Sequence, residues 1–419
     1  MTTTTAQPST RATAQPTARA TRFLPAIVGV AFIALVAMLP LLNITVPVIL
    51  PAPTYMPGSL ALISLCMVFA ALALSYNMLL GTAGMLSFGH ALAFGGGAYL
   101  LGVILDRFEV PLVPATLLAL VGGLAVALLA GSIANRVGGI PFAMVTLAFA
   151  EAGSVLVRRN SGITGGEEGL SLATEQVPDM LVSVANTRNL YWLILAMLVV
   201  VYLVALWVDR SRLGHLARAA RENDQRVRVL GLHPYTAKLA IFVIASLLAG
   251  ASGMAYLLLQ SGTVPHAVSA DLTITVLVMV VLGGVGYRWG AVVGGVVYTL
   301  LDQRLTVLAG ADAIQGLPAV LRIPLSEPLF LLGTMFVLVV MFLPGGIAGT
   351  VDKVWSRRQG RVRKSGGLEA LDGLDGPAGP AGPAGPAGPA GPAGPAGPAD
   401  PADPVEPTDP AGADRGVQT

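Results

Sequence analysis

The sequence predicts an all-α protein, a polytopic transmembrane helical bundle of about ten spans. Three observations predict it. Of the 419 residues 54% are hydrophobic and 11% charged, with a mean hydropathy of +0.73, whereas soluble domains carry about 25% charged residues. No Asp, Glu, Lys or Arg occurs in the 83 residues from Phe23 to Leu105. A charge at mid-span costs about 2.5–3.5 kcal/mol, so this blank reads as several consecutive crossings. The basic residues, finally, gather in alternate loops. A large soluble protein with long buried helices is the alternative, and it lacks the polar surface it would need.

Residues 1–22, rich in Thr, Ala, Gln and Pro, read as a disordered cytoplasmic arm. The membrane domain is expected over 23–347. A span takes about 20 apolar residues, which gives Phe23–Asn43, Gly58–Leu80, Leu86–Leu105, Pro111–Asn135, Gly139–Val157, Leu190–Val208, Ala237–Leu259, Asp271–Gly286, Gly290–Leu305 and Glu327–Leu343. The eighth and ninth are short. If they form a re-entrant pair, eight true spans remain.

Basic residues near span ends favour the cytoplasm. With ten spans, Arg11, Arg19 and Arg22, the loop 209–238, and the stretch from Lys353 to Lys364 all fall on one side. Arg136 and Arg288 fall there too. The opposite side receives Asp106–Glu109 and the external loop 158–189, which holds Glu167, Glu168, Glu175 and Asp179. Arg158 and Arg159 sit on the unfavoured side. Both termini are therefore expected in the cytoplasm, and the strong preference for Arg over Lys points to a GC-rich bacterial genome. Residues 348–419 read as a disordered cytoplasmic tail. Within it, Gly376–Ala399 is eight Gly-Pro-Ala triplets, collagen-like in period and read as a polyproline-II-rich flexible segment.

The absences exclude several functions. No Gly-x-x-x-x-Gly-Lys-Ser/Thr run, His-Glu-x-x-His or Gly-x-Ser-x-Gly turn occurs, and Cys66 is the one cysteine. The sequence thus offers no phosphate loop for ATP, no metal site and no catalytic constellation. No cofactor is expected, and the net charge of +2 gives no sign of nucleic-acid binding.

Four stretches carry the functional signal. In Ser211–Lys238, Leu213, Leu216, Ala217 and Ala220 recur at helical spacing between basic residues, and Gly231 with Pro234 is expected to stop the helix. Such a short amphipathic helix lies on anionic lipid or docks in a partner's groove. Gly81–Tyr99, GTAGMLSFGHALAFGGGAY, packs many glycines into an apolar run. That permits close helix approach or a broken helix beside a pathway; His90 lines such a route or bonds a neighbouring helix. Val280–Tyr298, VVLGGVGYRWGAVVGGVVY, brackets Arg288 and Trp289 with glycines, as a transport gate does; the two large residues read equally as interface anchors. Phe142–Gly169 holds FAMVTLAFAE and ITGGEEGL. Its Glu151 lies well inside a predicted span, a functional hypothesis by default, expected to face the bundle and contact Arg158 or a substrate ammonium.

These four stretches, in this order, resemble the permease subunits of bacterial ABC importers for branched-chain amino acids. The resemblance covers roughly Asn77 to Gly346 and centres on GHLARAARENDQRVRVLGL followed by LAIFVIASLLAGASGMAY. It implies the vitamin-B12-importer type of fold. It further implies a coupling segment seated in a separate ATPase, carried by Arg218, Ala219, Arg221, Glu222, Asn223 and Gly231. The glycine-rich signature falls on Gly81, Gly84, Ser87, Gly89, His90 and Gly97. Gly81, Gly84, Ser87, His90, Glu151, Gly283 and Gly286 become candidates for the translocation path or gate. The implied partners are a second related permease, two cytoplasmic ATPases, an extracytoplasmic binding protein and the lipid bilayer. Urea or short amides are alternative cargoes. The rival functions are an ion-coupled secondary transporter, for which intramembrane acids are scarce, and a membrane scaffold that gathers partners through its tail.

Overall fold

The structure, a computed structural model, describes residues 29, 33–44, 52–182, 186–309, 328–343 and 345–353. The N-terminal arm and the Gly-Pro-Ala repeats lie outside the described residues, as do residues 23–28 and 30–32 of the first expected span.

Helix α1 (Pro57–Asn77) begins with Pro at its first position, where the missing N–H is no loss. It continues as a π-turn, Met78–Thr82. Helices α2 (His90–Phe108), α3 (Leu112–Ala134), α4 (Ile140–Arg159) and α5 (Thr187–Arg210) follow, each close to its expected range. Two short helices, α6 (Arg212–Glu222) and α7 (Asp224–Val229), precede the long α8 (Pro234–Gln260). Then come α9 (Ala270–Gly283), α10 (Arg288–Ala309) and α11 (Pro328–Phe342). A last helical stretch, α12, spans 346–353, so the expected start of the tail at 348 falls inside a helix.

Six helices are long and apolar enough to cross a membrane: α1 with its π-turn, α2, α3, α4, α5 and α8. Helices α9 and α10 pass that test only together and meet at a bend of 120°. At about 1.5 Å per residue, the 14 residues of α9 reach about 21 Å, short of the roughly 30 Å hydrocarbon core. The sequence located ten apolar stretches; among the described residues, six are helices long enough to cross and two form this broken pair.

Helices α1 and α8 are the buried centre, with 72% of their spanning windows covered, against 22% for α3. Helix α8 packs on α1, α2 and α3, and α1 also packs on α5 and α10. The outer helices present Val113, Leu117, Val121 and Leu129 of α3 and Ile140 and Met144 of α4, surfaces that lipid or another membrane subunit covers.

The α2–α8 crossing explains the glycines. A Cβ on Gly97 would stand 2.3 Å from the carbonyl oxygen of Gly250, and one on Gly253 only 1.8 Å from that of Phe94. Backbone meets backbone here, which only hydrogen side chains allow.

Contacts sort the loops onto two faces. On one, Leu170–Ser171 (β1) pairs antiparallel with Gly262–Thr263 (β2), and Arg107 donates to the carbonyl of Gly162. On the other, Tyr235 donates to the Ser132 carbonyl at 3.0 Å, and Lys238 bridges Asp224 at 3.0 Å. Loops alternate between the two faces along these six helices.

Candidate functional site

The second face carries a polar node built from four parts of the chain. The first is the π-turn ending α1, a geometry enriched at functional sites. The side chain of Asn77 accepts from the Gly286 N–H at 2.8 Å. A Cβ on Gly81 would collide with both partners, at 2.7 Å from Asn77 Oδ1 and 2.8 Å from Gly286 N. Gly81 is therefore the residue that lets the α9–α10 turn reach α1.

The second part is Asp209, buried in the last turn of α5. Its Oδ1 accepts from Thr82 Oγ1 at 2.9 Å, and its Oδ2 is ion-paired with Arg288 Nη1. Its main-chain carbonyl accepts from Arg218 of α6. A buried carboxylate survives only when paired and hydrogen-bonded, and both of its oxygens are satisfied here.

The third part is the α6–α7 pair. The sequence predicts one helix stopped by Gly231 and Pro234; instead the chain breaks at Asn223. Its backbone is extended, and its side chain accepts from Arg226 N at 3.0 Å, capping α7. Ser211 caps α6 in the same way, accepting from Gly214 N at 3.3 Å. Gly231, at φ +76°, then closes α7: its N–H bonds the Arg228 carbonyl at 2.9 Å and that of Leu232 the Val227 carbonyl at 3.2 Å, a Schellman end. Arg221 reaches inward across Gly84 and donates to the Gly81 carbonyl. Gly84, at φ +68°, makes room for it, since a Cβ would lie 2.5 Å from Arg221 Cγ. Ala219 and Glu222 stay exposed, and Glu222 forms no ion pair among the described residues. At the far end of α7, Val229 is 87% and Leu230 75% exposed.

The fourth part is the α9–α10 turn. Gly284 and Gly286 hold φ +111° and +88°, and a Cβ on Gly283 would stand 2.0 Å from the Gly290 carbonyl oxygen. Arg288 points inward to Asp209, so of the two large residues only Trp289, 40% exposed, suits an interface anchor. Tyr287 donates to Asp352 Oδ2 of α12 at 3.2 Å. That carboxylate holds the phenol above its ordinary pKa, first through the hydrogen bond and then through its charge.

Six of the seven candidate path residues lie at or next to this node. Ser87 is buried, with its carbonyl accepting from Tyr76 Oη at 3.0 Å. His90 is 2% exposed, with Nε2 2.8 Å from Ser75 Oγ and its ring edge-on to Tyr76; it bonds helix to helix. Glu151 stands apart, exposed on the outside of α4, and it forms no ion pair with Arg158 among the described residues. The expected inward contact is absent because positions 151 and 158 both fall on the uncovered side of the helix. Sequence reasoning missed Asn77, Thr82 and Asp209. The one available signal was an acid, Asp209, ending an apolar run where it meets the arginine-rich loop.

A separate cavity of about 380 Å³ lies among α2, α3, α4 and α8, with walls from Gly96, Gly97, Gly250 and apolar side chains.

A bundle of apolar crossings, a broken helix pair and a loop bonded to the break together define a polytopic membrane permease. The chain belongs to the family of branched-chain amino acid transport system permease components, whose model matches residues 58–343. The high-affinity branched-chain amino acid transport system permease protein LivM of Salmonella typhimurium is 27% identical over 270 residues, covering 59% of this chain and 64% of that protein. The probable branched-chain amino acid transport permease protein LivM of Methanocaldococcus jannaschii is 26% identical over 315 residues, 65% of this chain and 88% of that one. LivH of Salmonella typhimurium, also a high-affinity branched-chain amino acid transport system permease protein, is 24% identical over 307 residues, 68% and 93% of the two chains. The chain thus spans under two-thirds of the Salmonella LivM length.

Proposed function

We propose that this chain is the membrane permease subunit of an ATP-driven importer for branched-chain or related amino acids. It works with a second related permease, two cytoplasmic ATPases and an extracytoplasmic binding protein. The observation that carries the reading is the α6–α7 loop, in a chain of this permease family: inward it bonds the node through Arg218 and Arg221, and outward it is bare.

Helix α6 then has two jobs. Its outer face, with Ala219, Glu222 and the apolar end of α7, is where an ATPase grips. Its inner face passes the displacement to the carbonyls of Gly81 and Asp209. The basic residues of this loop, with Arg136 and Arg288, support a cytoplasmic position for this face. The opposite face, where β1 and β2 join the acidic outer loop, receives the binding protein. ATP closes the ATPases, and the pair of permeases changes from inward- to outward-facing because the docked partners bind the two states differently.

The test reconstitutes the chain with its partners in vesicles and follows labelled leucine. Uptake is expected to require both ATP and binding protein, and a cysteine placed at Leu230 is expected to react only from the cytoplasm, the native Cys66 being buried. Labelling from outside the cell, or a purified complex without a nucleotide-hydrolysing partner, would overturn the reading.

A further inference from the structure

We infer that Asp209 is a positioning residue, whose carboxylate and Arg288 form a latch between the α6–α7 loop and the broken α9–α10 pair. The inference rests on the importer reading for its transport arm only.

Asp209 is gripped twice. Arg218 of α6 holds its main-chain carbonyl, and Arg288, the first residue of α10, holds its carboxylate. A displacement of α6 therefore reaches the end of α5 through one bond and the start of α10 through the next. Thr82 fixes the other carboxylate oxygen at 2.9 Å, which sets the direction in which Oδ2 points.

The turn offers few other handles. Its glycines supply bend but no side chains, so Arg288 and the Gly286 N–H, bonded to Asn77, are its ties toward α1 and α5 among the described residues. One tie is an amide pair that holds the turn to α1. The other is charged and runs to the helix that α6 moves.

The ion pair also has room to open. Asp209, Arg218, Tyr202, Arg288 and Trp289 border a cavity of about 180 Å³, and Arg288 Nε has no hydrogen-bond partner among the described residues. The guanidinium can leave Oδ2 without displacing a packed side chain. Arg218, Arg221 and Asn77 all bond main-chain groups, whereas this ion pair joins two side chains beside the cavity and is the part able to break and remake.

The experiment compares Asp209→Asn, Arg288→Gln and the exchanged pair Asp209→Arg/Arg288→Asp in the full chain, with Asp209→Glu as the conservative variant. A reporter cysteine replaces Val285 in the turn. In membranes without nucleotide, both single variants are expected to speed maleimide labelling of position 285, and the exchanged pair and Asp209→Glu to slow it again. In the assembled complex, Asp209→Asn is expected to keep ATP hydrolysis while uptake per ATP falls about 5- to 150-fold, the usual range of coupling between two sites. The exchanged pair is expected to recover uptake. Unchanged labelling in Asp209→Asn, or an exchanged pair as defective as either single variant, would overturn the latch. If the unaltered complex shows no ATP-dependent uptake, the importer reading fails and the labelling arm alone decides the latch.

Discussion

The α2–α8 crossing predicts opposite outcomes for two of its helical glycines, Gly253 and Gly96. Replacing Gly253 by Ala puts a Cβ 1.8 Å from the Phe94 carbonyl oxygen, where real contacts stay above 3.0 Å. The helices must part by about 1.2 Å. The obstacle is backbone, so no rotamer relieves it, and overpacking of this kind costs about 1–3 kcal/mol. Exchanging a helical glycine for alanine returns at most about 1 kcal/mol, so the net effect is a loss. Gly96 is the control: a Cβ there meets nothing within 4 Å. Gly96→Ala keeps the gain in helix propensity without the collision and is expected to be as stable as the parent or slightly more so. Thermal unfolding of the detergent-solubilised chain, at matched expression, separates the two. If both variants shift in the same direction, or Gly253→Ala unfolds with the parent, the glycines are not there for close approach.

Other outcomes follow from the loop, the turn and the tail. Glu222→Ala is expected to abolish uptake with stability unchanged, because that carboxylate forms no ion pair within the described chain; a matching fall in melting temperature would argue for a folding role. Gly231→Pro is also expected to abolish uptake while leaving membrane insertion intact, since proline cannot hold φ +76° and lacks the N–H that bonds Arg228; normal uptake at normal expression removes the assignment. The Tyr287 phenol has a raised pKa, so the stability from its bond to Asp352 persists below pH about 10 and is lost as pH climbs through the higher folded value. Ultraviolet difference titration against Tyr287→Phe checks this, and Asp352→Asn is expected to bring the transition down. Deleting residues 367–419 is expected to leave uptake unchanged, whereas lost uptake would revive the scaffold reading.

Hydrophobicity alone marked the long apolar helices, because lipid demands long apolar runs and charge is expensive there. The ends were less legible. The helix expected from Leu86 starts at His90, since Gly84 is in the left-handed region and Tyr76 holds the Ser87 carbonyl. The loop helix divides at Asn223, whose competence as a cap is visible in sequence but whose use depends on α7 being anchored by Asp224 to Lys238. The node itself was out of reach. Its bonds join residues 77 and 286, 82 and 209, and 209 and 288, and no local period connects such positions. Arg288 read as an anchor beside Trp289 because both are common at membrane interfaces; only the fold places Asp209 within its grasp.

Helix α8 runs unbroken for 27 residues, about 40 Å at 1.5 Å per residue. It starts three residues after Gly231 closes α7, and it ends next to β2, whose main chain is stitched to the outer loop. One rod thus has an end at each surface of the membrane. Where binding at one tip alters affinity at the other, the effect is returned by the same factor, because linked equilibria are reciprocal. Two partners seated on opposite faces would then report on each other along a single backbone.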